Sequence, residues 1–318
     1  LFHAFGLTVT TCLPLLEGIP MVCHPDPTDA LGSAKAIARW RATVLCSTST
    51  FLRLYLRNRR LHPIMLESLR IVVAGAERLR PDVRDAFGLK FSKTIYEGYG
   101  ATETTPVASV NVPDAIEIDN WKIQIGSKPG TVGMPLPGTS FRIVDPVTLR
   151  TLPNGEDGLI LIGGVQVMKG YLEEPERTAE AVVELDGQRW YKTGDKGHQD
   201  ADGFLSIVDR YSRFAKVGGE MLSLGAIEQQ VRDVLELPDL ELCAVNLPDQ
   251  RKGERVLLLL EPGPTADEVR SRLIAADTNP LTIPSEILTV DAIPKLGSGK
   301  TDFRAAKRLA SERSEGSG

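Results

Sequence analysis

The sequence predicts a mixed protein in two parts. An α/β layer with a β-rich, barrel-like module comes first, and a small α+β domain follows. Short apolar strands alternate with helix-like segments up to Thr105, the pattern of a layered α/β domain. Glycine and proline then crowd residues 126–138, between short strands. A charged segment, Asp209–Arg213, separates apolar stretches and places the domains at residues 1–209 and 210–318. A length of 318 residues admits roughly two domains.

In chain order, residues 2–23 are small, apolar and glycine-containing, and read as a buried helix running into a strand at Met21 and Val22. Residues 34–40 predict a helix, 42–46 a buried strand, 51–60 a basic helix, 70–74 a buried strand and 81–87 a short helix. Residues 140–144 and 159–162 read as strands divided by the turn Leu152-Pro153-Asn154-Gly155. A helix at 173–183 and a strand at 204–208 complete the first part. The second part carries an amphipathic helix at 224–235 and strands at 242–246, 256–260 and 287–290. Helices at 266–276 and 302–309 are expected beside them, with the tail 311–318 frayed.

Composition excludes several classes. A net charge of −5 gives no support for nucleic-acid binding, and no run of about 18 apolar residues could span a membrane. Cys12, Cys23, Cys46 and Cys243 form no Cys-x-x-Cys pair, which suits a reducing cytoplasm and argues against a zinc site. The chain opens at Leu1 without Met or leader, as if cut from something longer.

The chemistry gathers around Tyr96-Glu97-Gly98-Tyr99-Gly100-Ala101-Thr102-Glu103. Gly98 and Gly100 permit close backbone approach, and Tyr96 and Tyr99 offer flat faces for a purine. Glu103 is a hard oxygen ligand of the kind Mg²⁺ uses beside a phosphate. Thr193-Gly194-Asp195 reads as a turn whose carboxylate suits a ribose diol. Arg210 lies at the domain boundary, where a guanidinium could hold a ligand, and Lys216 stands before a glycine pair; a solvated charged linker is the alternative for both. Lys300 sits on the glycine loop 297–301. That loop imitates a P-loop, but Pro294 stands where its first glycine belongs, and too little chain follows. Arg53, Arg57, Arg59 and Arg60 form either a docking surface for an acidic partner or a solvated helix face.

Taken in order, these stretches resemble the adenylate-forming superfamily of acyl-CoA synthetases, luciferases and nonribosomal-peptide adenylation domains. Leu1-Phe2-His3-Ala4-Phe5-Gly6 is similar to its acyl-pocket motif, which implies that His3 and Phe5 line the substrate pocket. Ala74-Gly75-Ala76-Glu77 resembles the adenine-flanking turn, and Tyr99-Gly100-Ala101-Thr102-Glu103 the nucleotide motif, which implies Tyr99 against adenine and Glu103 on Mg²⁺. Gly158-Leu159-Ile160 through Gly170-Tyr171 and Pro175-Glu176 matches the barrel segment. Asp195 falls on the ribose-binding Asp and Arg210 on the nucleotide-binding Arg. Lys300 falls on the lysine of adenylation, and Lys216 on the one associated with thioester formation. Residues 213–224 and 296–300 have a narrower likeness to the acyl-ACP synthetase part of bacterial acyl-ACP synthetase/2-acylglycerophosphoethanolamine acyltransferase.

The resemblance implies a truncated large AMP-binding domain and a small swivelling C-terminal domain. It implies ATP and Mg²⁺ as cofactors, a fatty acid or other carboxylic acid as substrate, and acyl carrier protein or coenzyme A as acceptor. A cytoplasmic location follows, at the inner membrane surface if a fused acyltransferase domain is present. Three departures stand out. The family's phosphate loop would precede Leu1, Asp209 replaces the usual glycine before Arg210, and Ser212 occupies the hinge position. An adenylate-binding module without catalysis is the rival reading.

Overall fold

The structure, a computed structural model, describes residues 3–249, 251–296 and 300–315. The chain divides into two compact units, Leu1–Val208 and Asp209–Gly318, each with its own core.

In the first unit, strands Val44–Ser47, Ile71–Ala74 and Ile95–Tyr99 pair in parallel, and Ser109–Val110 and Met134–Pro135 extend the sheet antiparallel. Two helices supply the crossovers. Ser49–Arg57 starts where the Thr48 hydroxyl accepts Phe51 N–H, and it buries Leu52 and Tyr55. Pro81–Phe91 opens on a proline whose missing N–H costs nothing there, and buries Val83, Phe87 and Phe91 at four-residue spacing. These side chains pack with Val72, Ala34 and Ile37 into one core.

A second sheet of the same unit carries the barrel-like texture. Its order is Val182–Leu185, Gln188–Gln199, Gly158–Gly164 and Thr139–Val144, with Leu205–Arg210 paired to Gln188–Gln199. Val132 N–H donates to Leu205 O at 2.8 Å and Leu205 N–H to Gly133 O at 3.0 Å, tying the loop after the first sheet to the second.

Several expectations change. Residues 4–17 form short helical pieces, Ala4–Leu7, Thr8–Cys12 and Leu13–Glu17, and no strand forms at Met21 and Val22. That stretch is not buried, since Leu15 and Leu16 are 66% and 84% exposed and left-handed Gly18 ends the helix. Val44–Ser47 is an edge strand, so Val44 is exposed where a buried strand was expected. The helix expected over 173–183 is confined to Pro175–Ala181, because the β-branched Val182 and Val183 join a strand.

The second unit is a sheet of Glu220–Ser223, Phe214–Val217, Gly253–Leu260 and Leu242–Asp249, with Glu286–Thr289 parallel to Gly253–Leu260. The apolar run Val256–Leu260 is central and covered on both faces. Val256, Leu258 and Leu260 meet Leu224, Ile227 and Val231 of helix Leu224–Leu235 and Val269 and Leu273 of helix Ala266–Ala275. Leu257 and Leu259 meet Ala306 and Ala310 of helix Phe303–Glu315. Of the tail expected to fray, 311–318, the part through Glu315 is helical, and residues 316–318 lie outside the described residues. The segment expected as a charged linker is a hairpin, whose turn residues Gly218 and Gly219 have φ of 60° and 94°.

Arg213, in the charged segment expected between the domains, is buried in that unit. It is 5% exposed, donates to Ala244 O at 2.7 Å and Glu228 Oε1 at 2.6 Å, and lies 4.0 Å from the Phe303 ring centroid. Glu228 also accepts Ala244 N–H at 2.8 Å. Arg213→Met leaves a desolvated carboxylate without its cation and should cost roughly 3–5 kcal/mol in urea unfolding. Arg213→Met with Glu228→Gln should recover part of that loss; equal losses for single and double variants would contradict the pairing.

Candidate active site

The expected nucleotide motifs follow the carboxyl ends of two neighbouring parallel strands, where ligands bind in open α/β sheets. After Ile71–Ala74 comes Gly75, whose N–H donates to Ser47 O at 3.1 Å. A Cβ on Gly75 would meet the Phe5 ring at 3.2–3.5 Å, so the expected pocket residue Phe5 packs directly on the expected adenine-flanking turn. His3 caps the short helix beside it, accepting Phe5 N–H on Nδ1 at 3.3 Å. Leu1 and Phe2 of the same motif lie outside the described residues. Ala76 follows with φ of 68°, a left-handed backbone uncommon for a residue with a Cβ. Glu77 turns its carboxylate to the N-terminus of helix Ser49–Arg57, accepting Thr50 N–H and the Thr50 hydroxyl. This role as a helix cap was not expected of Glu77.

The second motif leaves strand Ile95–Tyr99. Alternation along a strand puts Tyr96 and Gly98 on one face and Glu97 and Tyr99 on the other. Tyr96 and Tyr99 therefore lie on opposite faces of the strand. Gly98 approaches Ser109 O, which would lie 3.3 Å from a Cβ. The Tyr99 hydroxyl donates to Asp195 Oδ2. Gly100 begins a tight return to Ala108, whose N–H donates to Tyr99 O at 2.8 Å. Inside the return, Thr102–Thr104 is a single 3₁₀ turn. The Thr104 side chain is fully buried and accepts Ala101 N–H, while Thr102 is exposed and Glu103 half-buried.

Asp195 does not sit on a plain turn. It belongs to the twelve-residue strand Gln188–Gln199, whose register shifts between Lys192 and Lys196, and Gly194 at φ 73° supplies the bulge. Thr193 secures the bulge by accepting Asp195 N–H at 3.0 Å and donating to Ile160 O at 2.8 Å. Asp195 is 5% exposed.

Glu103 has partners that sequence reasoning did not assign. The Tyr171 hydroxyl donates to Glu103 Oε1 at 2.6 Å, and Met168 N–H donates to Glu103 O at 2.8 Å. The Tyr191 phenol is pushed up by burial first, then by the Glu103 charge. Both tyrosines were visible, one in the barrel segment and one before Lys-Thr-Gly-Asp, but nothing local to either points at Glu103. Among the described residues no group of three or more His, Cys, Asp or Glu forms a metal cage. A lone hard carboxylate still fits Mg²⁺, which uses one or two carboxylates together with phosphate oxygens and water.

In the second unit, Arg210 is exposed at the end of its strand, and its N–H donates to Asp209 Oδ1 at 2.8 Å. Asp209 Oδ2 accepts the Ser223 hydroxyl at 2.6 Å and Gly225 N–H at 3.0 Å, capping helix Leu224–Leu235. That contact gives the departure from glycine at position 209 a structural role. Lys216 is exposed on strand Phe214–Val217, opposite Met221. Lys300 is half-buried and its carbonyl accepts Leu296 N–H at 2.8 Å, closing a loop that Lys295 and Thr301 also bridge. Gly297, Ser298 and Gly299 lie outside the described residues.

Residues 1–172 match the family described as AMP-binding enzyme. The chain is 30% identical over 306 residues to a long-chain-fatty-acid–CoA ligase of Salmonella typhimurium, covering 94% of this chain and 51% of that protein. It is 31% identical over 310 residues to a feruloyl-CoA synthase of Amycolatopsis sp, covering 94% and 58%. Among solved structures it is similar to ATP-bound MatB from Rhodopseudomonas palustris, with a TM-score of 0.82 at 27% identity, covering 96% and 58%. The chain thus spans about half the length of the curated relatives it matches.

Glu97 offers a test of this environment. Burial pushes its carboxyl up to about 7, against the opposing pull of Arg84, the Leu79 N–H and Arg78. A carboxyl with a raised folded pKa binds its proton more tightly when folded. Its contribution is therefore full below the unfolded value of roughly 4.3 and is lost as pH rises to about 7. Glu97→Gln removes the titration, so its thermal midpoint relative to wild type should climb between pH 5 and pH 7 and then level off. A difference that stays flat from pH 5 to pH 8 would contradict the buried-carboxyl account.

Proposed function

The chain belongs to the AMP-binding enzyme family, and from that premise we propose that it serves an ATP-dependent, AMP-forming acid–thiol ligase acting on a fatty acid. What supports this reading most is the junction at the strand ends. Phe5 packs on Gly75, Tyr99 bonds Asp195, and Glu103 projects from the next turn. In the first step the acid's carboxylate attacks the α-phosphate of ATP and pyrophosphate leaves. In the second a thiol attacks the acyl carbon and AMP leaves. The backbone of Gly75, Ala76 and Glu77, with Tyr99 and Gly100, would border the adenine. Asp195 and Arg210 would accept and donate, respectively, at the ribose and phosphate.

Mg²⁺, held by Glu103, would neutralise charge on the phosphates. Lys300 would stabilise the charge that develops at the α-phosphate, as a fixed cation in a dry site does. Lys216 would serve thioester formation after the small domain turns, which makes residues 210–318 the swivelling part. The acid's own oxygen is the nucleophile, so His3 lines the pocket and caps its helix and is not required as a base.

Coenzyme A is the acceptor that the relatives' names favour. Acyl carrier protein is the second reading. Residues 213–224 and 296–300 suggest it, and Arg57, Arg59 and Arg60 are exposed toward an acidic partner. Buried Arg213 gives it no support. Acylation rates of the two acceptors by the protein carrying this chain decide between them. Carrier-protein transfer should weaken as salt rises, because exposed charges are screened beyond roughly 8–10 Å at physiological ionic strength. A strong coenzyme A preference would exclude it.

The two lysines separate by half-reaction. Lys300→Ala should slow pyrophosphate exchange by about 10²–10³-fold, the scale of removing one transition-state charge stabiliser, and leave transfer from supplied acyl-adenylate nearly intact. Lys216→Ala should show the reverse bias in single-turnover transfer. Equal loss of both steps in both variants would mean one static site.

A further inference from the structure

The loop that follows strand Gly158–Gly164 is fastened to the turn bearing Glu103 at three points. The Thr105 hydroxyl donates to Gln166 O at 2.8 Å, Met168 N–H to Glu103 O at 2.8 Å, and the Tyr171 hydroxyl to Glu103 Oε1 at 2.6 Å. Only the last touches the carboxylate itself in a way that fixes its rotation. Tyr171 is in turn held from behind. Its N–H donates to Thr178 Oγ1 at 2.9 Å, and the Arg177 guanidinium lies 4.2 Å from its ring centroid. Arg177 donates to Glu174 Oε2 at 2.8 Å, and Thr178 donates to Glu174 O at 2.9 Å, so helix Pro175–Ala181 carries the whole support. A Cβ on Gly170 would lie 2.8 Å from Thr178 Cγ2, which leaves little room for the tyrosine's backbone to shift.

We propose that Tyr171 is a positioning residue for the Glu103 carboxylate. Its hydroxyl pins Oε1 and so orients the carboxylate for a divalent cation carried in with a nucleotide triphosphate. The physical reason is entropic as well as geometric. A half-exposed glutamate loses rotamer freedom on ligation, and a hydrogen bond already made in the free protein removes part of that loss beforehand. Partners of this kind, one bond behind a metal ligand, typically change metal affinity by about 10–100-fold when removed. The inference rests on the reading of Glu103 as the metal ligand.

Tyr171→Phe tests it, since the ring and its contact with Arg177 are kept and one hydroxyl is lost. Mn²⁺ is the probe, titrated with ATP and read by electron paramagnetic resonance, beside calorimetric binding of AMP without metal. Tyr171→Phe should weaken Mn²⁺ binding in the presence of ATP by about tenfold and leave metal-free AMP affinity within about twofold. Unchanged Mn²⁺ affinity, or equal losses for Mn²⁺ and metal-free AMP, overturns the positioning role. Glu103→Gln in the same titration keeps the two claims apart. If it fails to weaken Mn²⁺ binding, the metal-ligand reading falls. If it weakens binding and Tyr171→Phe does not, only the role of Tyr171 falls.

Discussion

At Gly100 the chain passes its own return so closely that a Cβ would lie 1.8 Å from Pro106 O and 2.9 Å from Ala108 N. No side chain fits there, and the compact turn that follows depends on that approach. The Ala108 N–H reaches Tyr99 O only because the two backbones meet, and the closed return compresses residues 102–104 into one 3₁₀ turn. That turn lifts Glu103 out of the sheet edge while the buried Thr104 satisfies the backbone beneath it. Tyr99, fixed on the near side of the same crossing, then meets Asp195 from another sheet. One backbone approach thus precedes both the turn that carries Glu103 and the strand end from which Tyr99 reaches Asp195.

Around that crossing the ionisable groups divide between scaffold and site. Glu77 caps a helix, Asp209 caps another, and Arg213 with Glu228 ties a strand to a helix inside the second core. These are structural tasks at positions within or beside the expected site motifs. Asp209 is instructive. A glycine there would leave Ser223 alone at the start of helix Leu224–Leu235, whereas the carboxylate accepts both the Ser223 hydroxyl and Gly225 N–H. The substitution relative to the family pattern therefore adds a contact within the second unit.

Local periodicity made much of this fold legible. Helix Leu224–Leu235 has the bounds its pattern predicts, because Leu224, Ile227 and Val231 recur on one face and Ser223 is a strong N-cap. The strand was legible over residues 256–260 as a run of five apolar residues, and the structure extends it back through the polar residues to Gly253. The failures have physical causes that no local window contains. The apolar residues 13–23 read as core, but no other element covers them among the described residues, and they remain exposed. Thr193-Gly194-Asp195 read as a turn because a bulge and a turn share their glycine, and only the pairing with Gly158–Gly164 tells them apart. Arg213 read as surface because the preceding residues are charged, yet Glu228 fifteen residues later draws it inward. The Tyr171 hydroxyl on Glu103 was not legible, since Tyr171 lies sixty-eight residues away in sequence.

The polar groups of the first unit share one further property, which bears on how such a site works. Asp195, Glu103 and Glu77 each hold a hydrogen bond to a neighbouring protein group. A carboxylate offers about four lone-pair directions, so one occupied direction orients it without exhausting it. Asp195 can keep Tyr99 and still accept a diol, and Glu103 can keep Tyr171 and still ligate a cation. Groups held in place before the ligand arrives do not have to reorganise when charge develops, which is the condition under which fixed dipoles and charges lower a barrier most. By contrast Lys216 stands exposed on a short hairpin of the second unit. The prepositioned carboxylates of the first unit and the exposed Lys216 of the second thus differ in how far the fold constrains them.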